Sequence, residues 1–477
     1  SQREVPWIWW DPANLREDVV PWTRRPTPAD AIGTGSIHQA NKTWYVILDT
    51  VNATVANPSL ARSRHEVHVS ALQCPLSGCP APPPAVLGNE SLWSDPQTWP
   101  SGSVPLEGED VVIDATMHVI LDVNPPRLGS MVVEGKLEFQ RDRDTTLRCG
   151  SITVWGSMEV GTPDAPYEGQ AVIEVDGRRS DPSVLLDNSV FVGNKVVAVA
   201  GSLVMQGRTV ARPWVSLAST ASAGSMSVEL SESVADWGAG SEVVLTGTGY
   251  NTSEEEVVTV VSMSNGNRRL QLSTPLRHTH FSGVVSSGAH SVRLASKAGL
   301  LTRNVVLRSR MHADEAGFGA HVTAVAFQRP AGEDGSPGKE YRGRVELRYV
   351  QLEGMGKLAQ EHGAVNLDYG RRARDANTRF PPRVSPPPQS VVHGCAFSNL
   401  QNSGVMMYAA RSSAVTWNVL HNARTSGVDV DASTDNVTLS RNLVVGVRRT
   451  IAAQTWTVPF SGLMINNAAP FEVEGNV

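Results

Sequence analysis

Asp429 and Asp431 are the residues best placed to do chemistry in this chain. They alternate with Val428 and Val430, so on a strand with the valines inward both carboxylates leave the opposite face, about 7 Å apart. That falls within the roughly 6.5–9.5 Å of an inverting glycosidase pair. Tyr408 lies 23 residues before Asp431 in a matching phrase, and register places it on the preceding coil, where its ring could stack on a sugar. The carboxylates could instead bind hydroxyls or Ca²⁺, or stand as a solvated pair on a polar face. Nothing visible nearby would raise either carboxyl, which makes both weak catalytic candidates.

Three further sets carry possible chemistry. Trp155 projects outward beside the Gly156 corner, either as a sugar platform or as an indole covered by an adjoining loop. His278 and His280 would share one side of a strand, a metal-holding geometry without a visible third ligand, so polar loop histidines are favoured. Cys74 and Cys79 flank Pro-Leu-Ser-Gly and could close a small loop. Cys149 and Cys395 read as buried thiols. No metal motif is present.

The elements that must position these residues are repeats. Gly129-Ser-Met-Val-Val-Glu-Gly135 returns 21 residues later as Gly150-Ser-Ile-Thr-Val-Trp-Gly156, and again as Gly201-Ser-Leu-Val-Met-Gln-Gly207. Met131 and Val133, Ile152 and Val154, and Leu203 and Met205 form one apolar set with period two. Leu137 and Phe139 answer Met158 and Val160 in the strand that follows. Strand, glycine corner and strand at a fixed period describe a β-solenoid coil. The expectation is that Gly129, Gly150 and Gly201 occupy equivalent corners, with Met131, Ile152 and Leu203 stacked inward.

A second repeat runs from Cys395 to Met407 and returns 23 residues later from Asn418 to Val430, sharing Asn399 with Asn422, Ser403 with Ser426, Gly404 with Gly427 and Val405 with Val428. Ser461-Gly-Leu-Met-Ile465 is a third copy, 35 residues on, with an insertion near 448–460. Asparagines at one position of successive coils can form a hydrogen-bonded ladder.

Net charge is −6 with 18% charged residues, and Arg371, Arg372 and Arg374 form the densest basic cluster. This is not the basic stripe nucleic acid or an anionic membrane would need. No apolar run approaches the ~20 residues of a membrane span. The chain starts at Ser1 without a signal peptide and stops at Val477 inside a repeat, which reads as a piece of a larger protein. Five sequons, at Asn41, Asn52, Asn89, Asn251 and Asn436, with turn-rich β composition, favour a secreted or cell-surface glycoprotein. Residues 1–88 form a separate tryptophan-rich domain of unknown type with strands at 46–48 and 65–69. It ends in the linker Pro80-Ala-Pro-Pro-Pro84. Residues 216–290 read as an inserted β-module with a hairpin closed by Asn265-Gly266. Segments 312–342 and 370–389 suit long surface loops.

The run Trp93-Ser-Asp-Pro-Gln-Thr-Trp-Pro100, the segment Val104–Asp114, Val119-Ile-Leu-Asp122 and the glycine phrases resemble the extracellular G8 module, named for eight glycines. The resemblance continues through Trp237–Thr246, Gly299–Leu307 and Val345–Gly356, and is strongest to fibrocystin-type ectodomains. It implies a right-handed parallel β-helix, with residues 89–215 as the G8-like domain and 291–477 as β-helix repeats. It also implies a non-enzymatic structural or adhesive role at the cell surface, with a cilium as the setting. Partners would be other extracellular proteins of an assembly, and glycans. The hyaluronan-depolymerising members carry an Ile-His-Phe-His turn, and the matching positions here are Val365, Asn366, Leu367 and Asp368, with His362 offset. Two alternatives stand beside this reading: a hyaluronidase- or lyase-like enzyme, and a non-catalytic glycan- or Ca²⁺-binding module.

Overall fold

A computed structural model describes residues 87–477, apart from 188–189, 250, 252, 330–337, 359, 361, 370–388, 432–433, 435, 449–460 and 466–470, together with short strands at Arg3–Glu4, Ser36–Gln39 and Lys42–Tyr45. The strands read at 46–48 and 65–69, the Cys74–Cys79 loop, Asn41, Asn52, the Arg371–Arg374 cluster and most of the 370–389 loop lie outside the described residues. No described helix is long and apolar enough to cross a membrane.

Parallel strands stack into a solenoid with three faces. The first holds ten strands, from Glu90–Leu92 through Lys136–Phe139, Ser157–Val160, Ser202–Gln206 and Arg344–Arg348 to Phe471–Glu474. Thr145–Val154 turns the corner between the other two: its first half pairs with Ala171–Val175 and its second half with Val196–Val199. The third face then runs through His321–Arg329, Val365–Asp368, Val405–Tyr408 and Ser426–Asp431 to Ser461–Ile465. Alternation sends every second side chain inward, so Leu137, Met158, Leu203 and Val345 form one column across four coils, each at most 1% exposed. Burying one such side chain contributes about 1.5–3 kcal/mol.

Met131 stacks on Ile152 in parallel register, and Leu137 on Met158, as the repeat requires. The third glycine phrase does not continue the same column. Ile152 pairs with Val197, while Leu203 pairs with Met158. Gly201 therefore follows Gly135 and Gly156, not Gly129 and Gly150. The reason is close approach: a Cβ on Gly156 would lie 2.0 Å from the Gly135 carbonyl oxygen, and one on Gly201 would lie 2.1 Å from that of Gly156. Both glycine corners of a coil read alike in sequence, and the inserted strand Ala171–Val175 and hairpin 184–193 shift the phrase by one corner.

The second repeat keeps its register. Val405 pairs with Val428, Ser426 with Ser461, and the Asn422 amide donates to Asn399 Oδ1 at 3.0 Å. Both asparagines hold a left-handed backbone, with φ of 58° and 55°. Segment 312–342 differs from expectation. It contains His321–Arg329 on the third face and, antiparallel to it, Lys339–Arg342, because Phe327 and Tyr341 bury against the outer side of Val196 and Ala198.

The insertion is a six-stranded antiparallel sheet whose first strand, Trp214–Ser216, begins two residues before 216 and whose last, Lys297–Leu300, lies beyond 290. It folds back on the C-terminal coils: Trp214 Nε1 donates to the Arg441 carbonyl at 2.8 Å. Val244 and Leu301 pack with Val419, Leu443 and Val445. Its Asn265-Gly266 hairpin is present, with φ of 52° and 62°.

Candidate functional site

The outward columns of the third face gather the candidate residues. One runs Thr323, Asn366, Met406, Asp429, Met464; the next runs Val325, Asp368, Tyr408, Asp431. Asp429 and Asp431 thus leave the same side of one strand, flanked by Met406 and Tyr408 on the preceding coil. The alternative of a solvated pair does not hold at Asp429, which is only 6% exposed, whereas Asp431 and Tyr408 are half-buried. Val365–Asp368 is buried at every position.

Asn366, which the resemblance aligns with a histidine turn, is committed to the backbone. Its Nδ2 donates to the Val322 and Gly363 carbonyls at 3.0 and 3.1 Å, and its Oδ1 accepts from the Gly363 N–H at 2.9 Å. His362 is buried, its ring centred 4.1 Å from that of His321, whose Nε2 faces the Val192 carbonyl at 2.9 Å. Beside them Lys195 donates to the Arg310 and Phe318 carbonyls, and Lys357 to both oxygens of Asn194. Burial pushes Lys195 down to about 8. Sequence reading found neither this histidine pair nor the two lysines. His321 and His362 are far apart in the chain, and no local motif marks either.

The other candidates do not assemble into a site. Trp155 packs partly buried against Tyr341, ring centroids 4.9 Å apart. His280 is fully buried, with Nδ1 facing the Thr246 carbonyl and Nε2 facing Glu256 at 3.0 Å, while His278 offers only its backbone N–H to Glu256. Among the described residues no group of three or more His, Cys, Asp or Glu side chains is disposed to hold a metal. Asn89, Asn251 and Asn436 are all exposed, and the Asn436 amide donates to Ser412 Oγ at 3.1 Å. On the second face Arg148, Glu174, Arg308 and Glu353 stack in one column of alternating sign, which leaves no single-sign strip at that register.

Trp93 and Trp99 close the first coil, edge to face at 4.7 Å, with Trp99 Nε1 donating to the Trp93 carbonyl at 2.9 Å. Residues 98–218 match the G8 domain. The chain is 24% identical to fibrocystin of Canis lupus familiaris over 81% of its length, and 32% identical to fibrocystin-L of Homo sapiens over 45%. It spans only 9% and 5% of those two proteins. Among solved structures, the tailspike protein gp49 from Pseudomonas phage LKA1 aligns with 66% of this chain and 47% of its own, at 13% identity and a TM-score of 0.17. That score carries no argument, and the assignment as a parallel β-helix rests on the strand pairing. The chain therefore contains a G8 domain, carried on a parallel β-helix whose sequence is similar to the fibrocystins.

Proposed function

We propose that this chain is a non-enzymatic structural and adhesive segment of a large extracellular or cell-surface protein, set on a ciliary membrane and bound to other extracellular proteins of an assembly. The observation that carries the reading is Asn366: the place of a histidine turn is taken by an amide that ties one coil to the next. Exposure of the sequons at Asn89, Asn251 and Asn436 supports passage through the secretory route. Similarity to fibrocystin and fibrocystin-L is consistent with an extracellular protein.

Two measurements test this. Labelled hyaluronan incubated with the full chain keeps its size distribution; shortening that is lost in Asp429→Asn would establish an enzyme instead. Peptides from material secreted by animal cells carry N-glycans at several of the five sequons and a Cys74–Cys79 bridge. Bare asparagines throughout with both thiols free would remove the surface reading.

Half-buried Tyr408 and Asp431, in one column with the buried Asp368, favour a second reading, non-catalytic glycan binding, with the tyrosine ring as the stacking surface. Glycan-array binding lost in Tyr408→Ala would support it, and an array without binders would end it.

A further inference from the structure

The hairpin of Ser282–Ser287 and His290–Ala295 is a two-stranded sheet of its own, rooted in the inserted module at Ser282 and Ala295 and closed at its tip by a two-residue turn. Gly288 has φ of 60°, the positive value a hairpin turn needs at its first central position. The root is fixed: the Ser282 N–H donates to Thr220 Oγ1 at 3.0 Å and its hydroxyl to the Leu217 carbonyl at 2.7 Å. Beyond Gly283 both strands stand exposed, with Val284 at 65%, Val285 at 44%, Val292 at 64% and Leu294 at 42%. An isolated two-stranded hairpin is marginal in water, and three or more strands give independent stability.

Charge distinguishes the two free edges. The strand Ser282–Ser287 has no charged side chain and no proline, so it lacks the devices that normally protect an edge. The strand His290–Ala295 carries His290 and Arg293, and two copies of it side by side would bring like charges together. Ser287 and His290 flank the two-residue turn as the hydrogen-bonded pair, so Val284 and Ser286 turn their backbone groups to the outer edge. The Ser282 N–H, on that same side, already takes Thr220 as its partner.

We propose that Ser282–Ser287 pairs antiparallel with the same strand of a second copy of this chain, joining two hairpins into one four-stranded sheet about a two-fold axis. Such an isologous contact is self-complementary here because the uncharged strand meets itself without repulsion. Val284 and Val285 supply its apolar contacts, and the edge amides of Val284 and Ser286 supply its ladder.

Sedimentation velocity of the full chain up to about 100 µM tests the pairing. A concentration-dependent monomer–dimer equilibrium is expected. Ser286→Pro removes an edge donor and Val284→Lys introduces a charge on the edge, and each weakens the dimer at least about tenfold. Both positions are exposed, and an unchanged thermal midpoint of diluted protein shows that the fold is intact. A wild-type chain that stays monomeric, a dimer indifferent to both substitutions, or open polymers in place of dimers would each overturn the proposal.

Discussion

The Cys395 backbone N–H donates to the side-chain oxygen of Asn418, one coil further along, at 2.9 Å. Cys395 is the first rung of a buried column: the Asn418 amide reaches Asn442 Oδ1 at 2.9 Å and the Asn442 amide reaches Asn476 Oδ1 at 2.9 Å. Each asparagine also donates to a carbonyl of the first face, at Val392, Val415 and Leu439. The column thus satisfies the buried corner where the first face meets the second.

Asn442→Ala is expected to cost about 2–3 kcal/mol, since inside the core it removes the acceptor of the Asn418 backbone N–H and the side-chain donor to the Val415 carbonyl. Asn422→Gly, on the exposed ladder with a left-handed backbone, changes stability by no more than about 0.5 kcal/mol. Urea unfolding of the two variants measures the contrast, and equal losses would mean that burial of the ladder is not what matters.

Gly156→Ala is expected to destabilise by about 3 kcal/mol or more, because its Cβ meets two backbone oxygens of the preceding coil, at 2.0 and 2.3 Å. Gly102, with φ of 71° but open space around its Cβ position, tolerates alanine at about 1 kcal/mol. Thermal midpoints read the difference.

Acid acts on the inserted module through Glu256. Burial alone would raise its carboxyl, but the Arg277 N–H, the His280 ring and the His278 N–H together outweigh that, and the group sits below its ordinary 4.5. A carboxyl depressed in the folded state contributes fully above the unfolded value and loses that contribution as pH falls through the folded one. Wild-type stability therefore drops below about pH 4.5, and Glu256→Gln is flatter across that window while less stable at neutral pH. Unfolding midpoints from pH 3 to 7 decide it, and parallel curves would clear Glu256 of the effect.

The Cys149 and Cys395 thiols are pushed up by burial to about 12 and about 11. Only the thiolate is alkylated, so both stay unmodified by iodoacetamide at about pH 8 in the folded chain and react after urea unfolding. Peptide mass spectrometry reads both states. Rapid native labelling of Cys395 would mean that the first rung of the asparagine column opens.

The sequence by itself determined the coil. Glycine-bounded phrases with period-two alternation have one physical solution, parallel stacking with a shared inner face, and the Cys395 and Asn418 phrases carried their register intact because little chain separates them. It also determined that Asp429 and Asp431 leave one side of a strand, since side-chain direction is a local property of the pleat. Tertiary structure decided which corner Gly201 occupies, because Gly129 and Gly135 offer the same letters and only the strand inserted at Ala171–Val175 separates the choices. It also decided that Asp429 is covered, that His321 meets His362, and that Trp214 reaches Arg441. Those contacts join residues distant in the chain, and no local pattern records which outer face a folded-back segment will bury.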